Sequence, residues 1–210
     1  MYTYNREAFF KCYRVQFGNL TVRKVKGIEF LLSKLEKSTR IDTNPKRAYT
    51  LATVKWETAD TFEPITEYGS KKYLKSKKYW PYIGRGYVQL TWLYNYRNFG
   101  KAIGVDLVNI PGLANDSEVA WKVLEIGMTD DYETQGLEKS LDPNFTSKTL
   151  EDYFDNGKCD YKYARKIINP RDYASYEPIA EMARKFHNCL VRSIITEEDI
   201  PNPRGLDTKL

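Results

Sequence analysis

Residues 55–96 read KWETADTFEPITEYGSKKYLKSKKYWPYIGRGYVQLTWLYNY, and the interpretation of the whole chain starts from them. The stretch contains two glutamates ten residues apart, a Gly-Arg-Gly turn, and then hydroxyl and amide side chains: Glu57, Glu67, Gln89, Thr91 and Asn95. Two carboxyl groups close to a water-holding hydroxyl group and to amides are what the hydrolysis of a sugar–sugar bond requires. The stretch therefore predicts a site of hydrolysis.

Composition limits the class of protein. The chain has 210 residues, of which 41% are hydrophobic, and this suits one globular domain with a substantial core. No run of 18 apolar residues is present, so no stable membrane insertion is expected, and we find no signal peptide in the first residues. Three widely spaced cysteines without a CxxC pair, together with a single histidine, predict no metal site and a protein made in the cytoplasm.

Positive charge is concentrated in the first half of the chain. The net charge is +5, but residues 1–100 carry 19 Lys or Arg and 8 Asp or Glu, whereas residues 101–210 carry 14 and 20. A basic half predicts an anionic partner, and a bacterial cell wall, nucleic acid and a phospholipid surface all meet that description.

Hydrophobic periodicity predicts a mainly α-helical chain with at most a small β element. Helices are predicted over residues 5–18, 21–37, 44–57, 91–104, 116–128, 150–154 and 161–169 and from 177 onward, with caps at Asn5 and Asn44. Residues 58–82 are expected to be irregular, residues 87–90 to be a short strand or an extended segment, and residues 129–148 show little pattern. We expect one domain over residues 1–210, with N-terminal helices in 1–40, a catalytic core in 41–195 and a loose tail in 196–210.

Glu57 falls at the C-terminal end of a predicted helix, where the helix dipole disfavours a negative charge. Burial beside Trp56 would raise the pKa of Glu57 further, as a general acid at neutral pH needs. Glu67 is a candidate for the opposing base, and Asp60 and Glu63 are rival carboxylates in the same region. Thr91 is a candidate for holding the attacking water, and a plain helix cap is its alternative role.

The motifs of this stretch resemble glycoside hydrolase family 19, the group of plant-type chitinases and of phage or bacterial endolysins. Residues 84–92, GRGYVQLTW, followed by Asn95 and Tyr96, resemble the family signature GRG-x-x-QL-[ST]-W-x-x-NY. Residues 56–59, WETA, resemble the His-Glu-Thr segment, and residues 164–169, ARKIIN, resemble a further family run. The resemblance implies a lysozyme-like helical fold and an inverting mechanism without metal or cofactor.

The resemblance also implies roles for individual residues. Glu57 takes the position of the general acid, Glu67 that of the base, and Thr91 that of the residue that orients water. The implied sugar-binding positions are Gln89, Asn95 and Asn169, and Tyr87 of the same signature is also predicted to bind substrate. The alternative role of Gln89 and Asn95 is to satisfy backbone groups near a turn.

We therefore predict an endolysin, of bacteriophage or bacterial type, that acts as a monomer on the glycan strands of peptidoglycan after release from the cell. A chitinase and a non-catalytic cell-wall-binding protein are the alternatives. Residues 71–82 hold five lysines and four aromatic residues, and we interpret them as a wall of the sugar cleft, with a solvated loop as the alternative. They contain no base-reading motif, so nucleic acid is not expected as a partner.

Overall fold

The structure is a computed structural model, and it describes residues 3–129 and 145–195. Most of the weakly patterned region predicted at 129–148, and the tail predicted to be loose from residue 196, lie outside the described residues.

The described part of the chain is mainly α-helical, as predicted, with one two-stranded antiparallel sheet. Its α-helices are α1 (Arg6–Phe17), α2 (Val22–Lys37), α3 (Asn44–Glu57), α4 (Lys71–Lys75), α5 (Leu93–Ile103), α6 (Ser117–Met128), α7 (Glu151–Phe154) and α8 (Tyr176–Val191). Short 3-10 helices span Pro111–Asn115, Tyr163–Ile167 and Tyr173–Ser175, and the strands are β1 (Ile65–Thr66) and β2 (Arg85–Gly86). In the sheet Ile65 pairs with Gly86 and Thr66 pairs with Arg85.

Local capping explains several helix ends that the sequence predicted correctly. The side chain of Asn5 accepts a hydrogen bond from the Ala8 amide at the start of α1, and Thr21 caps α2 in the same way. Asp116 caps α6, and Gly104 ends α5 in a left-handed conformation. These ends follow from local hydrogen bonding and backbone preference, which is why short-range patterns identify them.

The core forms where α1 and α3 pack against α8. Rings of Tyr13, Phe62 and Phe186 meet there with centroids 6.0–6.2 Å apart, in geometries from tilted to edge-to-face. Phe62 follows α3 closely in sequence, so this cluster fixes the position of the chain that leaves the end of α3. The site described below lies at that end.

The predicted cap of α3 is wrong by one residue. Asn44 already belongs to the helix, and Thr43 occupies the cap position without a side-chain cap bond. The Asn44 side chain is engaged elsewhere, since its Oδ1 accepts a hydrogen bond from the buried Tyr4 hydroxyl group at 2.6 Å. A tertiary contact therefore replaces the local cap.

The predicted strand at 87–90 is also wrong, because the strand lies two residues earlier, at Arg85–Gly86. Gln89 has φ +54, which turns the chain back so that Leu90 and Arg85 exchange backbone hydrogen bonds of 2.8 and 3.1 Å. The region expected to be irregular contains β1 and the short helix α4, whose Ser70 cap and buried Leu74 hold it in place.

Two later helices differ from their predictions. Residues 161–169 form a shorter 3-10 helix, Tyr163–Ile167, rather than an α-helix. The last helix, α8, begins one residue before the predicted Glu177. The turn predicted at 150–154 is confirmed as α7.

Candidate active site

The last turn of α3 positions Glu57. Glu57 is the final residue of that helix, and its side chain is 13% exposed. The unpaired carbonyl groups at a helix C-terminus carry partial negative charge, which disfavours an ionised carboxylate. Trp56, expected to shield Glu57 from water, is itself 38% exposed. Shielding of Glu57 therefore depends on other neighbours.

Arg165 contacts the carboxyl group of Glu57 directly. Its Nη1 donates to Glu57 Oε1 at 2.5 Å, its Nη2 donates to Asp172 Oδ2 at 2.8 Å, and its side chain is only 3% exposed. Burial raises the pKa of Glu57, and the positive charge of Arg165 opposes that shift without cancelling it. A carboxyl group in this environment is suited to remain protonated and to donate its proton.

Arg165 and Asp172 were missed by sequence reasoning, which took only Asn169 from the ARKIIN run. A signal was available, because an arginine inside a largely apolar run needs an acidic partner if it is buried. The identity of that partner was not readable, since Glu57 lies 108 residues away in the chain.

Residues in the connection between β1 and β2 hold Glu67. The backbone amide of Glu67 donates to the Gly84 carbonyl oxygen at 2.7 Å, and the Gly84 amide donates back to Glu67 Oε2 at 3.2 Å. The phenol of Tyr79 donates to the other carboxylate oxygen, Oε1, at 2.9 Å. Both oxygens of Glu67 thus accept a hydrogen bond, and its orientation is fixed while the residue stays partly exposed.

The Gly-Arg-Gly segment, which includes strand β2, lies against Gln89. A Cβ added at Gly84 would lie 2.7 Å from Gln89 Oε1. A Cβ added at Gly86, where φ is +83, would lie 2.9 Å from the Ala114 carbonyl oxygen. The Gln89 amide donates from Nε2 to the Ile65 carbonyl oxygen at 3.2 Å. Glycine is therefore required at Gly86, where a backbone carbonyl oxygen approaches closely and φ is positive, whereas Gly84 leaves space onto which the Gln89 side chain packs.

Thr91 lies two residues after Gln89, and its hydroxyl group donates a hydrogen bond to the Gln89 carbonyl oxygen at 2.7 Å. Asn95 donates from Nδ2 to the Thr91 carbonyl oxygen at 2.8 Å. The alternative role of Thr91 as a helix cap is wrong, because Trp92, with φ +77, occupies the cap position of α5. The hydroxyl oxygen of Thr91 retains lone pairs that can accept a hydrogen bond from water.

The structure therefore brings four of the candidate residues together. Gln89, Thr91 and Asn95 form one chain of hydrogen bonds from the two-stranded sheet to the start of α5. Glu67 is bonded to Gly84, which lies against the Gln89 side chain, so it is next to this chain without being hydrogen-bonded to it. Glu57 belongs to a separate group with Arg165. No hydrogen bond joins the two glutamates, so each carboxyl group is held by its own donors.

The two remaining candidates differ in exposure. Asn169 is exposed, with its backbone amide donating to the Arg165 carbonyl oxygen at 2.9 Å, so it lies next to the group that holds Glu57. Tyr87 is 1% exposed and packs in the core. A ring buried to that degree offers no face to a polymer, so its burial argues against the predicted contact with substrate.

The rival carboxylates are both engaged in ion pairs. Asp60 contacts Lys55, and it also contacts Lys24 at 2.5 Å. Burial would raise the pKa of Asp60, but the two lysines outweigh it and lower that pKa. Glu63 pairs with Arg23 at 2.5 Å. Among the three candidate bases, Glu67 therefore differs in that its carboxylate accepts hydrogen bonds from neutral donors, the Tyr79 phenol and the Gly84 amide.

Within residues 3–129 and 145–195, no group of three or more His, Cys, Asp or Glu residues is arranged to hold a metal ion. In the same part of the chain, no helix has the length and apolar character needed to cross a membrane.

Comparison with known families gives a match over more than half of the chain. A family model described as chitinase class I, glycoside hydrolase family 19, matches residues 18–142. Basic endochitinase B of Arabidopsis thaliana is 49% identical over 57 residues, which is 24% of this chain and 17% of that protein. Endochitinase 1 of Theobroma cacao is 57% identical over 42 residues, 20% of this chain and 13% of its own length. The aligned part thus spans less than a fifth of these plant relatives.

Solved structures are similar over nearly the whole length. A bacterial family 19 chitinase superposes with a TM-score of 0.57 and 23% identity, over 89% of this chain and 94% of that one. Chitinase C from Streptomyces griseus gives a TM-score of 0.55 and 19% identity, over 94% and 95% of the two chains. At these identities the similarity establishes the shared fold, including the expected lysozyme-like helical arrangement.

Proposed function

Because the chain belongs to glycoside hydrolase family 19, the chitinase class I family, we propose that it cleaves the glycan strands of bacterial peptidoglycan as an endolysin. The bonds concerned join N-acetylmuramic acid and N-acetylglucosamine. The single observation that supports hydrolysis most directly is the state of Glu57, a largely buried carboxyl group whose pKa is raised by burial even though Arg165 contacts it.

In the proposed mechanism Glu57 protonates the glycosidic oxygen. Glu67 deprotonates a water molecule, and the resulting nucleophile attacks the anomeric carbon from the opposite face of the sugar ring. Thr91 accepts a hydrogen bond from that water and thereby orients it. An inverting enzyme of this kind places its two carboxyl groups roughly 6.5–9.5 Å apart to leave room for the water. The separate anchoring of Glu57 and Glu67 suits such an arrangement.

Sugar recognition is proposed for Gln89, Asn95 and Asn169. An amide has both donors and an acceptor, which matches N-acetyl and hydroxyl groups. Gln89 and Asn95 each use their amide nitrogen in an internal hydrogen bond, and the amide oxygen of each remains as an acceptor. We expect these two residues to recognise N–H or O–H donors of the sugar.

Peptidoglycan is proposed as the substrate because the half of the chain that carries both glutamates and the signature is strongly basic, while peptidoglycan carries carboxylates on its peptides. Chitin is the second candidate, and the endochitinase names of the plant relatives favour it. Action as a monomer on the cell wall, after release from the cell, is part of the same proposal.

The assignment of Glu57 is tested with the Glu57→Gln variant. The amide keeps the size of the side chain but has no proton to give, so we expect the lysis of outer-membrane-stripped bacteria to fall by about 1,000-fold. Binding to purified cell walls should persist. The matched control is Glu63→Gln, in the same region but paired with Arg23, which should keep its lytic activity. Undiminished lysis by Glu57→Gln would reject the mechanism.

The substrate is tested by comparing the clearing of peptidoglycan suspensions with the cleavage of chitin oligomers. Mass spectrometry of the products identifies the bond cut, and NMR of the anomeric protons shows whether the configuration inverts. Cleavage of chitin alone would replace peptidoglycan by chitin and leave the glycosidase assignment in place. Wall binding by the wild type without cleavage of either polymer would favour a non-catalytic binding protein.

A further inference from the structure

Residues 71–82, here called the basic segment, are anchored next to Glu67. The segment begins with α4, whose Leu74 is buried, and continues to Tyr79, whose phenol donates to Glu67 Oε1 at 2.9 Å. Near its end, the Tyr82 carbonyl oxygen accepts a hydrogen bond of 2.9 Å from the Trp92 amide. The basic segment is therefore attached both to the proposed base and to the residue after Thr91.

The basic segment carries only positive charges. It contains no acidic residue and five lysines: Lys71, Lys72, Lys75, Lys77 and Lys78. None of the five forms an ion pair with a carboxylate of the described residues, and four of them are exposed. The fifth, Lys77, lies with its Nζ 3.9 Å from the centroid of the Tyr73 ring. Because five lysines and no acidic residue lie within this one short stretch, the basic segment is a concentrated cationic surface.

Aromatic side chains accompany these lysines at the surface. Tyr73 is 48% exposed and Trp80 is 39% exposed, while the Tyr79 ring packs edge-on against Trp92 with centroids 5.2 Å apart. Exposed rings beside lysines provide flat apolar faces for pyranose rings together with positive charge for any anionic substituent. A loop whose aromatic residues only cover the core would bury these rings instead.

We propose that the basic segment makes this active site select glycans that carry negative charge over neutral glycans with the same backbone. The inference rests on the proposed function and deepens it, because it names the residues that would distinguish peptidoglycan from chitin. Cations next to the base attract and retain a strand whose peptides carry carboxylates, and a neutral chitin strand gains nothing from them. Attraction between exposed charges is weakened by salt, with a screening length of about 10 Å at 0.1 M ionic strength.

The test uses a triple variant, Lys71→Gln, Lys72→Gln and Lys75→Gln, which removes three charges from α4. A control triple variant removes three exposed lysines from other helices and has the same net charge: Lys11→Gln, Lys37→Gln and Lys122→Gln. Cleavage rates are measured on carboxymethyl chitin, which is anionic, and on glycol chitin, which is neutral, between 20 and about 500 mM NaCl. Peptidoglycan clearing is recorded in parallel.

For the wild type, we expect cleavage of carboxymethyl chitin to fall with salt and cleavage of glycol chitin to stay nearly constant. In the α4 triple variant the ratio of the two rates at low salt should fall by about tenfold, and its salt dependence should be much reduced. The control variant should retain the wild-type ratio. An unchanged ratio in the α4 variant, or an equal loss on both polymers, would overturn the inference.

The experiment distinguishes failure of the proposed function, which is peptidoglycan cleavage, from failure of the proposed role of the basic segment. If peptidoglycan is not cleared but the ratio of rates falls as expected, the proposed substrate fails and the selection of charged glycans stands. If peptidoglycan is cleared equally by both triple variants and the ratio is unchanged, the proposed function stands and the role of the basic segment fails. A loss of salt-sensitive DNA retention in the α4 variant, without any change of the ratio, would assign the lysines to nucleic acid and overturn the inference.

Discussion

Arg165 connects the acid candidate Glu57 to Asp172, because one guanidinium nitrogen donates a hydrogen bond to each carboxyl group, at 2.5 and 2.8 Å. The guanidinium group lies almost wholly out of solvent, and Asp172 is the more exposed of its two partners. Arg165 and Asp172 therefore both influence the pKa of Glu57, Arg165 by lowering it and Asp172 by raising it. This arrangement can be probed from the Asp172 side without touching the acid.

Asp172→Asn should move the alkaline limb of the pH–activity profile to lower pH. Burial is the largest cause of the raised pKa of Glu57, and the negative charge of Asp172 adds to it. Removing that charge lowers the pKa of Glu57, and a general acid loses activity as the pH rises through its pKa. The measurement is kcat/KM against pH, with Asp106→Asn as a surface control that leaves the limb in place. A shift to higher pH would contradict this account.

Arg165→Gln should move the same limb in the opposite direction. Arg165 opposes the raised pKa of Glu57, so its removal raises that pKa further. The variant leaves the carboxyl groups of Glu57 and Asp172 without their shared partner, so its folding is checked by circular dichroism before the profile is measured. Arg165→Lys keeps the charge but has no planar fork to contact both acids, and we expect an intermediate profile. If the alkaline limb does not move in a folded Arg165→Gln variant, Arg165 does not control the pKa of Glu57.

Tyr79→Phe should lower kcat by about tenfold with little change in KM, because a hydrogen bond to an ionised group contributes about 1.5–3 kcal/mol. The variant loses the phenol that donates to Glu67 and keeps the ring against Trp92. Tyr94→Phe is the control, since Tyr94 is exposed on α5. If Tyr79→Phe matches the wild type in kcat, the phenol has no part in positioning the base.

Thr91→Val should reduce kcat by about 100-fold, in the range of contributions from groups that assist proton transfer. Valine has nearly the shape of threonine but no hydroxyl group for the water. Thr91→Ser restores the hydroxyl group and should recover most of the activity. Thr129→Val, which removes a similar hydroxyl bond to a backbone carbonyl oxygen, should leave kcat unchanged. Equal activity of the Val and Ser variants at position 91 would exclude a role for the hydroxyl group.

Gly27→Ala should destabilise the protein by about 1–3 kcal/mol, the usual cost of overpacking. A Cβ at Gly27 would lie 2.4 Å from the backbone carbonyl oxygen of Phe62, which has little freedom to move because its ring packs in the core. Gly112→Ala meets nothing within 4 Å and serves as the control, with an expected change within about 0.5 kcal/mol. Urea unfolding measures both. A Gly27→Ala variant as stable as the control would show that α2 shifts freely at this point.

The sequence predicted the parts of the fold that depend on neighbouring residues. The mainly helical class, the ends of α1 and the Asp116 start of α6 are confirmed, because caps and hydrophobic periodicity act over a few residues. It failed where a distant contact overrode a local preference. Asn44 contacts Tyr4 instead of capping α3, and Trp92 rather than Thr91 occupies the cap of α5.

For the site, the amino-acid sequence was enough to identify residues with suitable chemical groups and, through a contiguous signature, their family. The folded structure was needed to show that Arg165 lies against Glu57, that Tyr79 donates to Glu67, and that Tyr87 is buried in the core. The physical reason is distance along the chain. Side-chain type and local backbone preference can be recognised from short segments of sequence. Burial, ion pairing and the pKa values that follow from them arise only when segments far apart in sequence pack together.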